Sequence, residues 1–113
     1  GHPPVLHSRG GGPFRELETE GSLLGYGIAR PVARETILPI QKGDRFLVYS
    51  DGLVEYRSPE GEVIQAADPV SLTAGLESVY GNEFLQVVLN RVKERDDFGR
   101  FHDDVMVALL EVK

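Results

Sequence analysis

Two short apolar runs constrain this chain most. They are Phe46-Leu47-Val48-Tyr49 and Val105-Met106-Val107-Ala108-Leu109-Leu110. Both have strand length and fall far short of the roughly 18–20 apolar residues that a membrane helix requires. Their apolar positions are consecutive rather than alternating, which predicts strands covered on both faces. Acidic residues flank them: Asp51 follows the first run, and Asp103 and Asp104 precede the second. If the strands lie antiparallel and adjacent, the end of one and the start of the other share a sheet edge. Neighbouring strands are about 4.8 Å apart, so the carboxylates would converge there. Gly52 removes a side chain beside Asp51 and allows another group to approach closely.

The other elements can be placed around these two. Val5 to Ser8 reads as a strand, Arg9-Gly10-Gly11-Gly12-Pro13 as a turn, and Phe14 to Leu17 as a hairpin partner. No Gly-Lys-Ser/Thr follows the glycines, so they form a hairpin loop rather than a phosphate cradle. Leu23 to Gly27 is a glycine-punctuated stretch, and Ala33 to Leu38 reads as a strand. Lys42-Gly43-Asp44 is a turn, Leu53 to Arg57 the start of a short helical turn, and Ser58-Pro59-Glu60-Gly61 another turn. Asp68-Pro69 reads as the N-cap and first residue of a helix that carries Leu72, Leu76, Val79 and Tyr80 and stops at Gly81. Asn82 then caps a second helix with Phe84, Val88 and Val92 every four residues, widened by Leu85 and Leu89. Val105 to Val112 is expected as a final, central, buried strand. Strands segregated from helices predict an α+β fold, with the helices on one face of an antiparallel sheet. Little of a 113-residue chain is left to cover the other face, so a missing partner sheet is expected.

Composition removes several function classes. There is no cysteine, which excludes disulfides and thiolate metal sites. The formal net charge of −6 disfavours nucleic acid as a partner. Arg91, Lys93 and Arg95 alternate with Glu94 and precede Asp96 and Asp97, the pattern of a solvated helix face. The N-terminus has no signal-peptide pattern and no initiator Met, so an excised piece of a larger protein is expected. Carboxylates are hard ligands suited to Mg²⁺ or Mn²⁺. Two such ions about 3.5–4 Å apart can activate a water and hold a phosphoryl oxygen. On these residues alone, a common Asp-Gly turn and a solvated Asp-Asp loop are the stronger reading.

The segment Lys42-Gly43-Asp44-Arg45-Phe46-Leu47-Val48-Tyr49-Ser50-Asp51-Gly52-Leu53-Val54-Glu55 resembles the "GDRLLLYTDGLTE" segment of stage II sporulation protein E-type phosphatases, within the wider type 2C (PPM), metal-dependent class. Gly1-His2-Pro3-Pro4 resembles the end of that family's "NAGHPP" motif, Leu24-Gly25 its "LG", and His102-Asp103-Asp104-Val105-Met106 its closing "DDVT". The resemblance implies the C-terminal half of an αββα sandwich, two antiparallel sheets flanked by helices, occupying residues 1–113. It implies Asp51 and Asp103 as metal ligands, with Asp104, Gly52 and Glu55 supporting them from behind. Glu55 matches the family's glutamate, with turn stabilisation as its plainest role. Met106 stands where the family has Thr. His2 reads as a packing or turn residue, and His7 and His102 have no assigned role. The family's first half carries a "GDFYD"-like segment with the bridging aspartate, and nothing here matches it. The chain alone is therefore expected to be inactive, its two-metal Mn²⁺ or Mg²⁺ centre incomplete.

For the intact protein the resemblance implies hydrolysis of phosphoserine or phosphothreonine on a regulatory protein of the anti-sigma-factor-antagonist type. It implies a cytoplasmic setting, free or as the cytosolic domain of a membrane-anchored protein, with upstream sensor or receiver domains and no direct membrane contact. Two other readings compete. One is a pseudophosphatase kept as a binding module, against which the retained Asp51 and Asp103 argue. The other is a free-standing interaction module that self-associates through an exposed sheet face.

Overall fold

A computed structural model describes residues 5–17, 39–65 and 68–113. Among these residues seven strands form two antiparallel sheets. The strands are β1 (Leu6–Ser8), β2 (Arg15–Glu16), β3 (Arg45–Tyr49), β4 (Glu55–Arg57), β5 (Val63–Gln65), β6 (Arg100–Phe101) and β7 (Val107–Glu111). The larger sheet has the order β2-β1-β3-β7 and the smaller β5-β4-β6. Among the described residues two α-helices, α1 (Asp51–Val54) and α2 (Gly81–Lys93), and a 3₁₀ helix over Pro69–Thr73 complete the α+β fold. This architecture is compatible with part of a two-sheet sandwich. The expected strand Ala33–Leu38, the stretch Leu23–Gly27, Leu24-Gly25 and His2 lie outside the described residues.

The strand period of two sorts the larger sheet into faces. Leu6 pairs with Leu47, and Leu47 with Leu109, so this row shares the core face. Phe84, Val88 and Val92 of α2 are fully buried in the same cluster as Leu6 and Leu47. Their four-residue spacing places them on one helix stripe, as the sequence predicts. Tyr56 of β4 and Leu53 of α1 extend that cluster towards the smaller sheet. There, Phe98 packs on Tyr56 and edge-on to Phe101, with ring centroids 5.3 and 5.0 Å apart.

Arg45 begins β3 yet is only 2% exposed. Its guanidinium donates hydrogen bonds to the carbonyls of Val79 (2.6 Å), Leu76 (3.2 Å) and Glu77 (3.2 Å). It also lies about 5 Å from the ring centroids of Phe14, Tyr80 and Phe84. Its Nε has no hydrogen-bond partner, but a guanidinium whose two Nη groups meet carbonyls and whose plane faces aromatic rings can sit inside a core where a bare charge could not. It ties the loop before α2 to the sheet.

Several expectations are corrected. Helical structure begins at Asp51, not Leu53, and residues from Glu55 on form strand β4, paired with Ile64 and its neighbours through Tyr56. The helix expected from Asp68 to Tyr80 is a five-residue 3₁₀ segment, and Asp68 makes no side-chain cap. Gly75 takes φ of +76°, which right-handed helix cannot continue through. The second helix starts at Gly81 with Tyr80 as N-cap, so Asn82 lies within the first turn and does not cap. The last strand spans Val107–Glu111 and, among the described residues, is the edge of its sheet rather than its centre. Nor are the apolar runs covered on both faces: Phe46 and Val48 are half-buried and Leu110 is 54% exposed. Among the described residues nothing packs on that second face as α2 packs on the first.

Candidate functional site

The two apolar strands do lie antiparallel and adjacent. Arg45 pairs with Glu111, and the register runs to Tyr49 opposite Val107. The end of β3 and the approach to β7 therefore meet at one sheet edge. Ser50 closes the ladder there. Its amide donates to the Met106 carbonyl (2.9 Å), and its Oγ accepts from the Met106 amide (2.9 Å). The chain then turns into α1 at Asp51, with the Leu53 amide donating to the Ser50 carbonyl (3.0 Å).

The smaller sheet holds the same edge from the other side. β4 leaves α1 and pairs with β6, Tyr56 opposite Phe101 and Arg57 opposite Arg100. β6 leads into His102, Asp103 and Asp104. Both acidic segments are thus anchored twice: Asp51 between β3 and β4, Asp103 between β6 and β7. Gly99 permits this closure, since a Cβ there would lie 2.6 Å from the Ser58 backbone.

Gly52 is the tightest point. A Cβ added there would lie 2.0 Å from the Asp104 carbonyl oxygen and 3.4 Å from that of Asp103. The backbone of the acidic pair therefore rests directly on residue 52. Asp51, Asp103 and Asp104 are all exposed. The Asp104 amide donates to Asp103 Oδ1 (2.7 Å), which orients that carboxylate. The Asp104 carbonyl also accepts from Ser50 Oγ, at 3.5 Å. Asp104 thus meets the Asp51 turn through its backbone. Glu55 points elsewhere: its Oε1 accepts from Gln65 Nε2 (2.9 Å) across the β4–β5 hairpin. His102 is exposed beside the pair. His7 is not at this edge but on β1, stacked on Phe46 with ring centroids 4.8 Å apart.

Sequence reasoning missed two residues here. Ser50 is the pin between the acidic segments, and its only signal is its place between a buried strand and Asp51. Tyr49 is buried on the core face with no hydrogen-bond partner for its hydroxyl. Burial pushes that phenol up to about 12, helped by the negative charges of Glu16 and Asp51.

As a cation site the edge is chemically suitable and numerically incomplete. Its donors are carboxylate and carbonyl oxygens, the ligands that Mg²⁺ and Mn²⁺ prefer. Among the described residues, however, no group of three or more His, Cys, Asp or Glu side chains comes together to hold a metal. Asp51 and Asp103 fit as part of a ligand set, not the whole of one.

Two antiparallel sheets with helices against them define the class: an α+β protein, with exposed acidic residues at the edge where β3 and β7 meet. The chain belongs to the stage II sporulation protein E (SpoIIE) family, whose sequence model matches residues 1–113. Membership ties the intact protein to a PPM-type phosphatase role. No curated protein and no solved structure matches the chain.

Proposed function

We propose that this chain is the part of a metal-dependent serine/threonine phosphatase that supplies Asp51 and Asp103 to a Mn²⁺ or Mg²⁺ centre. The observation that carries this reading is the seating of the Asp103–Asp104 backbone on Gly52, at the paired ends of β3 and β7. It brings two segments about fifty residues apart in sequence to one solvent-open edge, within a family tied to phosphatase activity. The metals, when bound, would activate water and neutralise charge on a phosphoryl group. The residues present bind and orient: Ser50 pins the two segments together, the Asp104 amide sets the Asp103 carboxylate, and Gly52 keeps the gap closed. Asp104 and Gly52 thereby support the edge rather than ligate, while Glu55 braces the β4–β5 hairpin.

The substrate class we infer is a phosphoserine or phosphothreonine protein of the anti-sigma-factor-antagonist type, acted on in the cytoplasm under the control of sensor or receiver domains elsewhere in the same polypeptide. The incomplete ligand set leads us to expect no activity from residues 1–113 alone, and the open sheet face leads us to expect self-association of that segment. One second reading is a pseudophosphatase that retains the fold as a signalling module, against which the retained Asp51 and Asp103 argue.

The deciding experiment is phosphatase activity of the full-length protein with Mn²⁺, beside its Asp51→Asn variant. Activity that falls at least a hundredfold in the variant supports the metal role of Asp51. A full-length protein inactive with every metal and on phosphoprotein substrates overturns the phosphatase reading in favour of the pseudophosphatase.

A further inference from the structure

We propose that the cleft where the β1–β2 hairpin meets the start of β3 is a second binding site, built to take a phosphate-class oxyanion at the opposite end of the sheet from the acidic edge. The cleft has a volume of about 290 Å³ and is lined by His7, Arg9, Gly12, Pro13 and Arg15. The fold concentrates these groups for a simple reason. His7 pairs directly opposite Arg15 in the β1–β2 ladder, and Arg9 lies two residues further along the chain from His7. One imidazole and two guanidiniums therefore share one side of a short hairpin, in a chain whose formal net charge is −6.

The site has a built floor. His7 is only 9% exposed, and its Nε2 has no hydrogen-bond partner. Its ring is fixed by the stack on Phe46. Asp44 is fully buried beneath it, with Oδ2 accepting from the Gln41 amide (3.0 Å). That oxygen lies 3.5 Å from Arg9 Nη2 and 3.8 Å from His7 Nε2. Arg9 Nη2 also donates to the Pro39 carbonyl (2.8 Å), so this guanidinium is held in place from two directions. The Gln41 amide and the Arg9 charge, working against burial, hold the Asp44 carboxyl below its ordinary range, so it carries its full negative charge.

The charges decide the ligand. Asp44 neutralises one guanidinium, and Arg15 has no ion-pair partner among the described residues. The cleft is thus left with net positive charge before any protonation of His7. Guanidinium forks match the oxygens of a phosphate, and the buried His7 Nε2 has no hydrogen-bond partner of its own. β3 separates this cleft from the acidic edge by five residues, about 17 Å of strand, so an anion here is not the reacting phosphoryl group. Free phosphate and a phosphorylated side chain share the required chemistry.

The test is a titration of the full chain with inorganic phosphate at fixed pH and ionic strength, in EDTA, following the His7 imidazole signals by NMR. A second arm uses a phosphoserine peptide. Saturable movement of His7 is expected, with a midpoint raised at least tenfold in Arg15→Gln and unchanged in Asp51→Asn. Whichever arm saturates at lower concentration identifies the source of the phosphate and supports the site. Chloride producing the same movement, no saturable response in either arm, or an Arg15→Gln midpoint equal to the wild type would overturn the proposal. Because Arg15 is exposed, its replacement leaves the fold intact, and the unchanged signals of the α2 core in the same spectra check this.

Discussion

At Gly52 a single hydrogen atom in place of a methyl group decides how the acidic edge is assembled. The obstacle to any larger residue is backbone: the Asp104 carbonyl oxygen sits 2.0 Å from the point a Cβ would occupy, and backbone cannot rotate away as a side chain can. Gly52→Ala should therefore push the 103–104 segment off the edge and destabilise the protein by roughly 1–3 kcal/mol, the usual cost of overpacking. Denaturant unfolding measures the loss, and Mn²⁺ titration should show weakened binding. A variant with unchanged stability and metal affinity would contradict the close seating. Tyr49 offers a test by pH. Its folded-state phenol is raised above the unfolded value of 10.0 to about 12, so the folded state keeps its proton while the unfolded chain loses it. Its contribution to stability is full below pH 10 and is lost as pH rises from 10 through 12. Tyr49→Phe should remove that part of the alkaline loss, measured as the difference in unfolding free energy between pH 9 and pH 12.

At the scale of elements, α2 and its preceding loop depend on Arg45 as much as on the apolar stripe. The stripe of Phe84, Val88 and Val92 holds the helix to the sheet, while Arg45 holds the loop that delivers it. Arg45→Met keeps the bulk but strands the carbonyls of Leu76, Glu77 and Val79. The expected cost is on the order of 3 kcal/mol, since buried acceptors left without donors lose their hydration with no return. Urea unfolding checks it, and hydrogen exchange should show faster opening at 76–80 than in β3. The short α1 works differently. Four residues cannot hold a helix by themselves. It persists because Ser50 begins it, Leu53 is buried beneath it, and β4 pulls the chain straight into the second sheet.

For the whole molecule the open face of the larger sheet matters most. Phe46 pairs with Leu110 and Val48 with Ala108, so these residues share the face opposite α2, near Met106, which is 60% exposed. Apolar sheet surface left in water drives association. Residues 1–113 expressed alone should therefore elute from gel filtration larger than a monomer, Leu110→Lys should shift them towards monomer, and the same preparation should hydrolyse no p-nitrophenyl phosphate with Mn²⁺. A clean wild-type monomer would argue against the exposed face as an association surface, and Mn²⁺-dependent hydrolysis by the segment would show that its ligand set is sufficient.

What the sequence determined by itself was local or periodic. The β1–β2 hairpin, the Lys42–Asp44 turn, strand β3 with its boundaries and the core stripe of α2 all follow from short-range pattern. Tertiary structure decided the rest, because partners distant in sequence outweighed local preference. Asp68-Pro69 carries a helix-start signal, but Gly75 and the carbonyls drawn to Arg45 leave only a 3₁₀ turn there. Glu55 to Arg57 follows a helical turn, yet pairing with β5 and β6 makes it a strand. Apolar composition predicted that β7 would be buried, but coverage depends on what packs above it, which no strand encodes in its own residues. The acidic edge was legible because its two halves end on apolar strands. The cleft around His7 was not, since it needs a hairpin register to set Arg15 beside His7 and a separate turn to place Asp44 beneath them.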